Sequence, residues 1–394
     1  MHTVHRPAPQ VGDVARLFDG RRLRLARQLA GLRKNALAAM IGKTPTAVAS
    51  YENGSKRPAA ATVAQLCLSL SVDPTFFLSG PGEIDFSDRT PHFRSLRSTT
   101  QISRDQATAY GLATIDAAAS LERHIEFPEV DLPSVPVDVE SELEESPERA
   151  ARELRKLWNL PDGPVGHLVR IAENHGILIV FSPPQASSVD AYSFDSRVRP
   201  VIVLNPTKRD YFRQRFDVAH EIGHLVMHAD SEPGGRKVED QAHNFAAELL
   251  MPADEMKDLL PSSADWARLA QIKQTWGVSL QALLYRARRL GVMGEVTYRN
   301  AVSFLSAKGW RRQEPGVMPA VEQPSLLAQA VGLLEEDGAD LDGLAYEARV
   351  PVSLFETIAS RTPRNSVSGA SAGAPEGDSL PSGVVSILSR GEPR

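Results

Sequence analysis

The run His220-Glu221-Ile222-Gly223-His224 is flanked by apolar residues and reads as part of a helix. On a helix, residues four apart face the same way, so the imidazoles of His220 and His224 can reach one metal ion. Glu221 directly follows the first of them. From there its carboxylate can reach a water at the metal and act as general base. Two histidines and a base do not complete a site, because a catalytic zinc usually takes three protein ligands and keeps one position open.

The third ligand is expected on a second helix over 238–250, after the loop containing Gly234-Gly235 and before Met251-Pro252, where a proline stops it. Glu239 opens that helix. Its apolar stripe is Val238, Ala242, Phe245, Ala246 and Leu249, and the small Ala242 and Ala246 let it approach a neighbour closely. Gly223 is a poor helix former, so its place inside the motif suggests close packing there. Glu248 is the rival third ligand, two to three turns farther along. His228 extends the row of histidines and reads as a partner of a ligand or a charge at the helix end. His243, one turn after Glu239, reads as a hydrogen-bonding neighbour of the site or a surface residue. Tyr192 reads as an oxyanion donor or a packing residue.

Outward from the motif, β-type runs are expected at 177–181, 189–194 and 201–204. A long Ala-rich helix is expected at 104–125 and another at 147–158, with a Pro- and acid-rich linker over 127–147 between them. Residues 262–310 and 324–360 read as helical, and 362–394 as a disordered Ser/Pro/Gly-rich tail. The fold class is therefore α+β and mainly helical. Its expected parts are an N-terminal helical domain (16–80), a helical connector and acidic linker (81–164), a small central domain with a short sheet (165–255), a helical C-terminal region (256–361) and the tail.

The N-terminal part differs in charge from the rest. Residues 1–80 carry 11 Lys+Arg against 4 Asp+Glu in a chain whose net charge is −5, so this end is the one suited to phosphate. Short helices are expected at 16–31, 36–41, 44–51 and 60–70. This is the helix-turn-helix pattern, with the helix at 44–51 as the one that enters the major groove. Thr46 and Ser50 face outward from it, with Thr44 at its cap. Arg33, Lys34, Lys43, Lys56 and Arg57 sit at helix starts and loops, as phosphate contacts do. These eight residues are the expected DNA contacts. One copy reads a half-site, so a homodimer on double-stranded operator DNA is expected.

The single cysteine, Cys67, lies among leucines and reads as a buried structural thiol. Residues 1–20 hold no apolar signal-like run and no stretch is long enough to span a bilayer, so the expected location is cytoplasmic, with no membrane partner.

Two resemblances follow from these residues. Leu37-Ala38-Ala39-Met40-Ile41-Gly42, Ala47-Val48-Ala49-Ser50-Tyr51-Glu52-Asn53-Gly54 and Arg57-Pro58 resemble the Cro/C1 (XRE-type) repressor domain, with Pro45 standing where that family often has a polar base-contacting residue. Arg215-Phe216-Asp217-Val218-Ala219-His220-Glu221-Ile222-Gly223-His224-Leu225 and Glu239 through Pro252 resemble the ImmA/IrrE metallopeptidases. That resemblance implies a small zincin-like domain. It implies Zn²⁺, or another divalent ion such as Mn²⁺, on His220, His224 and Glu239, with Glu221 catalytic, and a repressor-type protein as substrate. The expected function is a DNA-binding regulator carrying a zinc metallopeptidase domain. The alternatives are a regulator whose metal domain only senses a ligand or partner, and a peptidase that cuts its own chain at the acidic linker.

Overall fold

Leu178–Phe181 (β3) and Val201–Leu204 (β5) are apolar at every position, so neither face of this sheet suits water. The computed structural model describes residues 10–81, 92–93, 100–137, 146–183, 191–196, 198–207, 209–228, 235–362 and 386–387. In it β3 and β5 pair in parallel, Leu178 opposite Val201, and Ala191–Phe194 (β4) runs antiparallel to β5. His92–Phe93 (β1) extends the edge, giving the order β1-β4-β5-β3. Side-chain alternation splits these strands between two cores. Ile179, Phe181, Ile202 and Leu204 enter one, and Leu178, Val180, Tyr192 and Val203 enter the other.

Before the sheet come Val11–Arg16 (α1), Gly20–Leu29 (α2), Lys34–Met40 (α3), Pro45–Glu52 (α4), Ala60–Leu70 (α5) and a 3₁₀ turn at Pro74–Phe77. The helix expected at 16–31 forms only over 20–29, and Arg16 instead ends α1. Phe18 turns into the core, and the Asp19 side chain caps α2 by accepting from the Arg21 N–H at 2.9 Å. Gly20 lies against the end of α4, where an added Cβ would stand 2.1 Å from the Tyr51 carbonyl oxygen. Helix α5 matches its expected bounds.

Gln101–Leu121 (α6) starts earlier than expected, because Thr100 caps it by accepting from the Ser103 N–H at 3.2 Å. One side of α6 contributes Ala109 and Leu112 to the N-terminal core. Another contributes Ala107, Tyr110 and Ala113 to the core over the sheet. Gly111 admits the Phe194 ring, which an added Cβ would overlap at 2.1 Å.

After α6 come Ile125–Glu126 (β2), Ser146–Leu157 (α7) and Leu168–Asn174 (α8). The expected acidic linker differs from its reading over 128–137. Trp158 Nε1–H donates to the Asp131 carbonyl at 2.8 Å and the Val135 N–H to the Val226 carbonyl at 2.9 Å, so this stretch is tied to the domain beyond it. Residues 138–145 lie outside the described ones.

Tyr211–Met227 (α9), Arg236–Leu250 (α10), Ala253–Leu259 (α11), Trp266–Trp276 (α12), Leu280–Arg289 (α13) and Glu295–Ala307 (α14) build the first core with α7 and α8. Leu326–Glu336 (α15), Leu341–Ala348 (α16) and Val352–Ile358 (α17) pack on α6. The expected disordered tail lies outside the described residues, except Thr362 and Ser386–Ile387 (β6), the latter pairing with β2.

Two buried links join these parts. Arg22 of α2 pairs with Asp116 of α6 and donates to the Arg349 carbonyl at the end of α16, with both side chains of the pair at most 1% exposed. Glu173 of α8 accepts from the Ser325 N–H at 2.9 Å and the Leu326 N–H at 3.0 Å, capping α15.

Candidate metal centre and nucleic-acid interface

Helix α9 is held at its start. Asp210 accepts from the Phe212 and Arg213 N–H groups at 3.1 Å each. Arg215, 1% exposed, donates to the Gly277 and Val165 carbonyls and pairs with Glu322 at 2.5 Å. An arginine so deep inside orients the helix that follows it. Gly223 then faces Phe245 of α10, with an added Cβ only 2.9 Å from the ring, and Ala242 and Ala246 are fully buried in the same contact. The close helix crossing expected from the small residues is present.

That crossing brings His220, His224 and Glu239 together. Nε2 of His220 lies 3.1 Å from Nε2 of His224 and 3.3 Å from Glu239 Oε2. His224 Nε2 lies 3.7 Å from Glu239 Oε1. A tetrahedral ion with arms of about 2.0–2.1 Å sets its ligand atoms about 3.3–3.4 Å apart, so this donor set fits zinc in spacing and in type. Among the described residues these three form the metal-compatible cluster. The histidines are at most 1% exposed, while the Glu239 side chain is 22% exposed and marks the open side.

Glu221 is fully buried, and its Oε2 accepts from the Ser193 hydroxyl of β4 at 2.7 Å. Sequence reasoning missed Ser193. Its signal was a lone serine in the otherwise apolar and aromatic run Ala191-Tyr192-Ser193-Phe194. Tyr192 points the other way, donating to the Ala107 carbonyl at 2.8 Å, which is its packing role. Glu248 is excluded as the third ligand. It is buried in an ion pair with Arg286, and Arg152 stands 3.3 Å away. His228 stands beside His224 rather than in the ligand set. His243 lies between Phe216 and Tyr285, ring centroids 4.7 and 5.0 Å away, and 6.4 Å from the ring of His220. These three aromatic residues line a cavity of about 420 Å³ beside the centre.

At the other end, Thr44 caps α4 by accepting from the Ala47 N–H at 3.2 Å. Pro45 occupies the first turn, where a missing N–H costs nothing. Glu52 at the end of α4 is buried against Arg27 of α2 at 2.5 Å, with Lys34 3.5 Å away, so α4 is fixed on its neighbours. Arg33, Lys34, Lys43, Thr44, Thr46, Lys56 and Arg57 are exposed around α3 and α4, and Ser50 is half-exposed. Cys67 is half-buried rather than buried, and burial pushes its thiol up to about 11, so it stays protonated.

Residues 172–288 match the family model described as IrrE N-terminal-like domain, of the M78 peptidases, and residues 23–77 match the one described as Helix-turn-helix. No curated protein matches the chain. The protein thus joins a helix-turn-helix DNA-binding domain to a metallopeptidase-type domain, and the peptidase match runs past 255 into α13. No helix among the described residues is long and apolar enough to cross a membrane.

Proposed function

We propose that this protein is an operator-binding regulator whose central domain is a divalent-metal peptidase, with Zn²⁺ as the ion and a repressor-type protein as substrate. The observation that carries the reading is the His220–His224–Glu239 cluster, spaced as one tetrahedral ion requires, with a buried carboxylate at Glu221 beside it. His220, His224 and Glu239 hold the ion. When bound, it supplies Lewis acidity at the scissile carbonyl and makes water more acidic there. Glu221 takes the proton from the attacking water and delivers it to the departing amine. Ser193 holds one oxygen of that carboxylate, which keeps the other turned to the proton being moved. Arg33, Lys34, Lys43, Thr44, Thr46, Ser50, Lys56 and Arg57 meet the operator, the cations at phosphate, and two copies cover the two half-sites.

A second reading, a regulator that senses a ligand or partner without cleaving, is favoured by the buried Arg22–Asp116 pair, which ties the DNA-binding helices to the sheet domain through α6. The deciding experiment incubates zinc-loaded protein with candidate repressors beside Glu221→Gln, followed by intact mass. Cleavage by the wild-type chain alone supports the peptidase. Equal cleavage by both overturns it.

A further inference from the structure

His228 closes α9 and is fully buried, with its Nδ1 3.1 Å from Nδ1 of His224. Its Nε2 lies 3.0 Å from Oε1 of Gln241, two residues beyond Glu239 on α10. The geometry points to His228 and Gln241 as a positioning relay that fixes the proton of His224 on Nδ1, so that its Nε2 offers a lone pair to the ion. This inference rests on the reading that His220, His224 and Glu239 bind a metal.

A neutral imidazole has one N–H and one lone pair, and an amide oxygen only accepts. Gln241 Oε1 therefore requires the N–H of His228 on Nε2. That leaves a lone pair on His228 Nδ1, and the proton between the two rings belongs to His224 Nδ1. His224 Nε2, the atom facing His220 and Glu239, is then bare. Turning the Gln241 amide so that its NH₂ faces His228 reverses every donor in the series. It places a proton on His224 Nε2, where a metal cannot bind.

Metal-binding histidines usually hand their second N–H to a carboxylate or carbonyl that orients the ring and raises its basicity. Here the acceptor is a neutral imidazole backed by an amide, so the ring is oriented with less added basicity than a carboxylate gives. The relay also crosses from α9 to α10, the two helices that carry the ligands, and so ties together their spacing. Neither residue belongs to the ligand set. They act through His224.

The test measures zinc affinity of the full chain by competition with a chromogenic chelator, and the visible absorption of the cobalt-substituted protein. The variants are Gln241→Leu, Gln241→Glu, His228→Gln and Glu239→Ala. Gln241→Leu and His228→Gln are expected to weaken zinc binding about 10–100-fold and shift the cobalt bands, while metal-free Gln241→Leu keeps a cooperative thermal transition. Gln241→Glu, which keeps an acceptor, is expected to bind zinc at least as tightly as wild type. If His228→Gln does not fold, the two Gln241 variants decide, since Gln241 is half-exposed. Wild-type affinity and cobalt bands in Gln241→Leu overturn the relay alone. A wild-type chain that binds no more zinc than Glu239→Ala overturns the metal reading, and the relay with it.

Discussion

Seven of the eight side chains expected at DNA are exposed, whereas His220, Glu221 and His224 are at most 1% exposed. The two regions are also supported differently. Around α4, one buried pair, Arg27–Glu52, sets the helix, and the polar groups it presents are free to follow a phosphate backbone. Around α9, buried partners hold two of the three: Ser193 on Glu221, and His228 on His224. A DNA face gains affinity by adding charges that release counterions, so each contributes a share and none is decisive. A metal centre needs its donors held within a few tenths of an ångström, so single partners carry large effects.

The steepest test of that contrast is Glu221→Gln, expected to lower peptide hydrolysis about 10²–10⁴-fold while metal content, read by atomic spectroscopy, stays at one ion per chain. Loss of the metal as well would show that Glu221 is structural. Next in size is the joint between the regions. Arg22→Met leaves Asp116 charged and buried, and chemical denaturation is expected to show about 3–5 kcal/mol of destabilisation. The double variant Arg22→Met/Asp116→Leu should recover most of it.

A smaller effect is expected at the C-terminal module. Burial pushes the Glu173 carboxyl up to about 7, against the pull of the N–H and O–H donors of Ser325 and Leu326. The folded state then keeps a proton that the unfolded chain has released, so this contribution is complete below about pH 4.5 and lost as pH rises through about 7. Melting temperatures across that window should fall more steeply for wild type than for Glu173→Gln, and parallel curves would refute the assignment. At the DNA face, Lys56→Ala is expected to weaken binding to all sequences alike and to reduce the salt slope by about 1, measured by fluorescence anisotropy. A change in sequence preference would place Lys56 on bases. The smallest effect is Cys67→Ser, expected within about 0.5 kcal/mol in the same denaturation assay.

Features that repeat within a few residues were legible in the sequence. The i,i+4 histidines, the Thr44 cap and the bounds of α5 each depend on neighbours in the chain. Glu239 was legible because the small residues of α10 announced a close crossing. Features whose partner is distant were not. Nothing near Ser193 indicates Glu221, and nothing near Arg22 indicates Asp116, since each pairing exists only once the chain has folded. The Pro- and acid-rich stretch misled for the same reason: composition reports an unfavourable interior, not the Trp158 and Val226 groups that bind it. The break near Asp19 was hidden because Leu17 and Phe18 continue the apolar pattern while the chain turns.

Helix α6 gives side chains to two cores and is covered by α15, α16 and α17 from the far end of the sequence. A nick anywhere between 137 and 146 would therefore leave two polypeptides clasped around one another. The DNA-binding fragment would stay in a complex with its former carboxyl half. Denaturing electrophoresis would show two bands, while native mass would still be that of the intact chain plus one water.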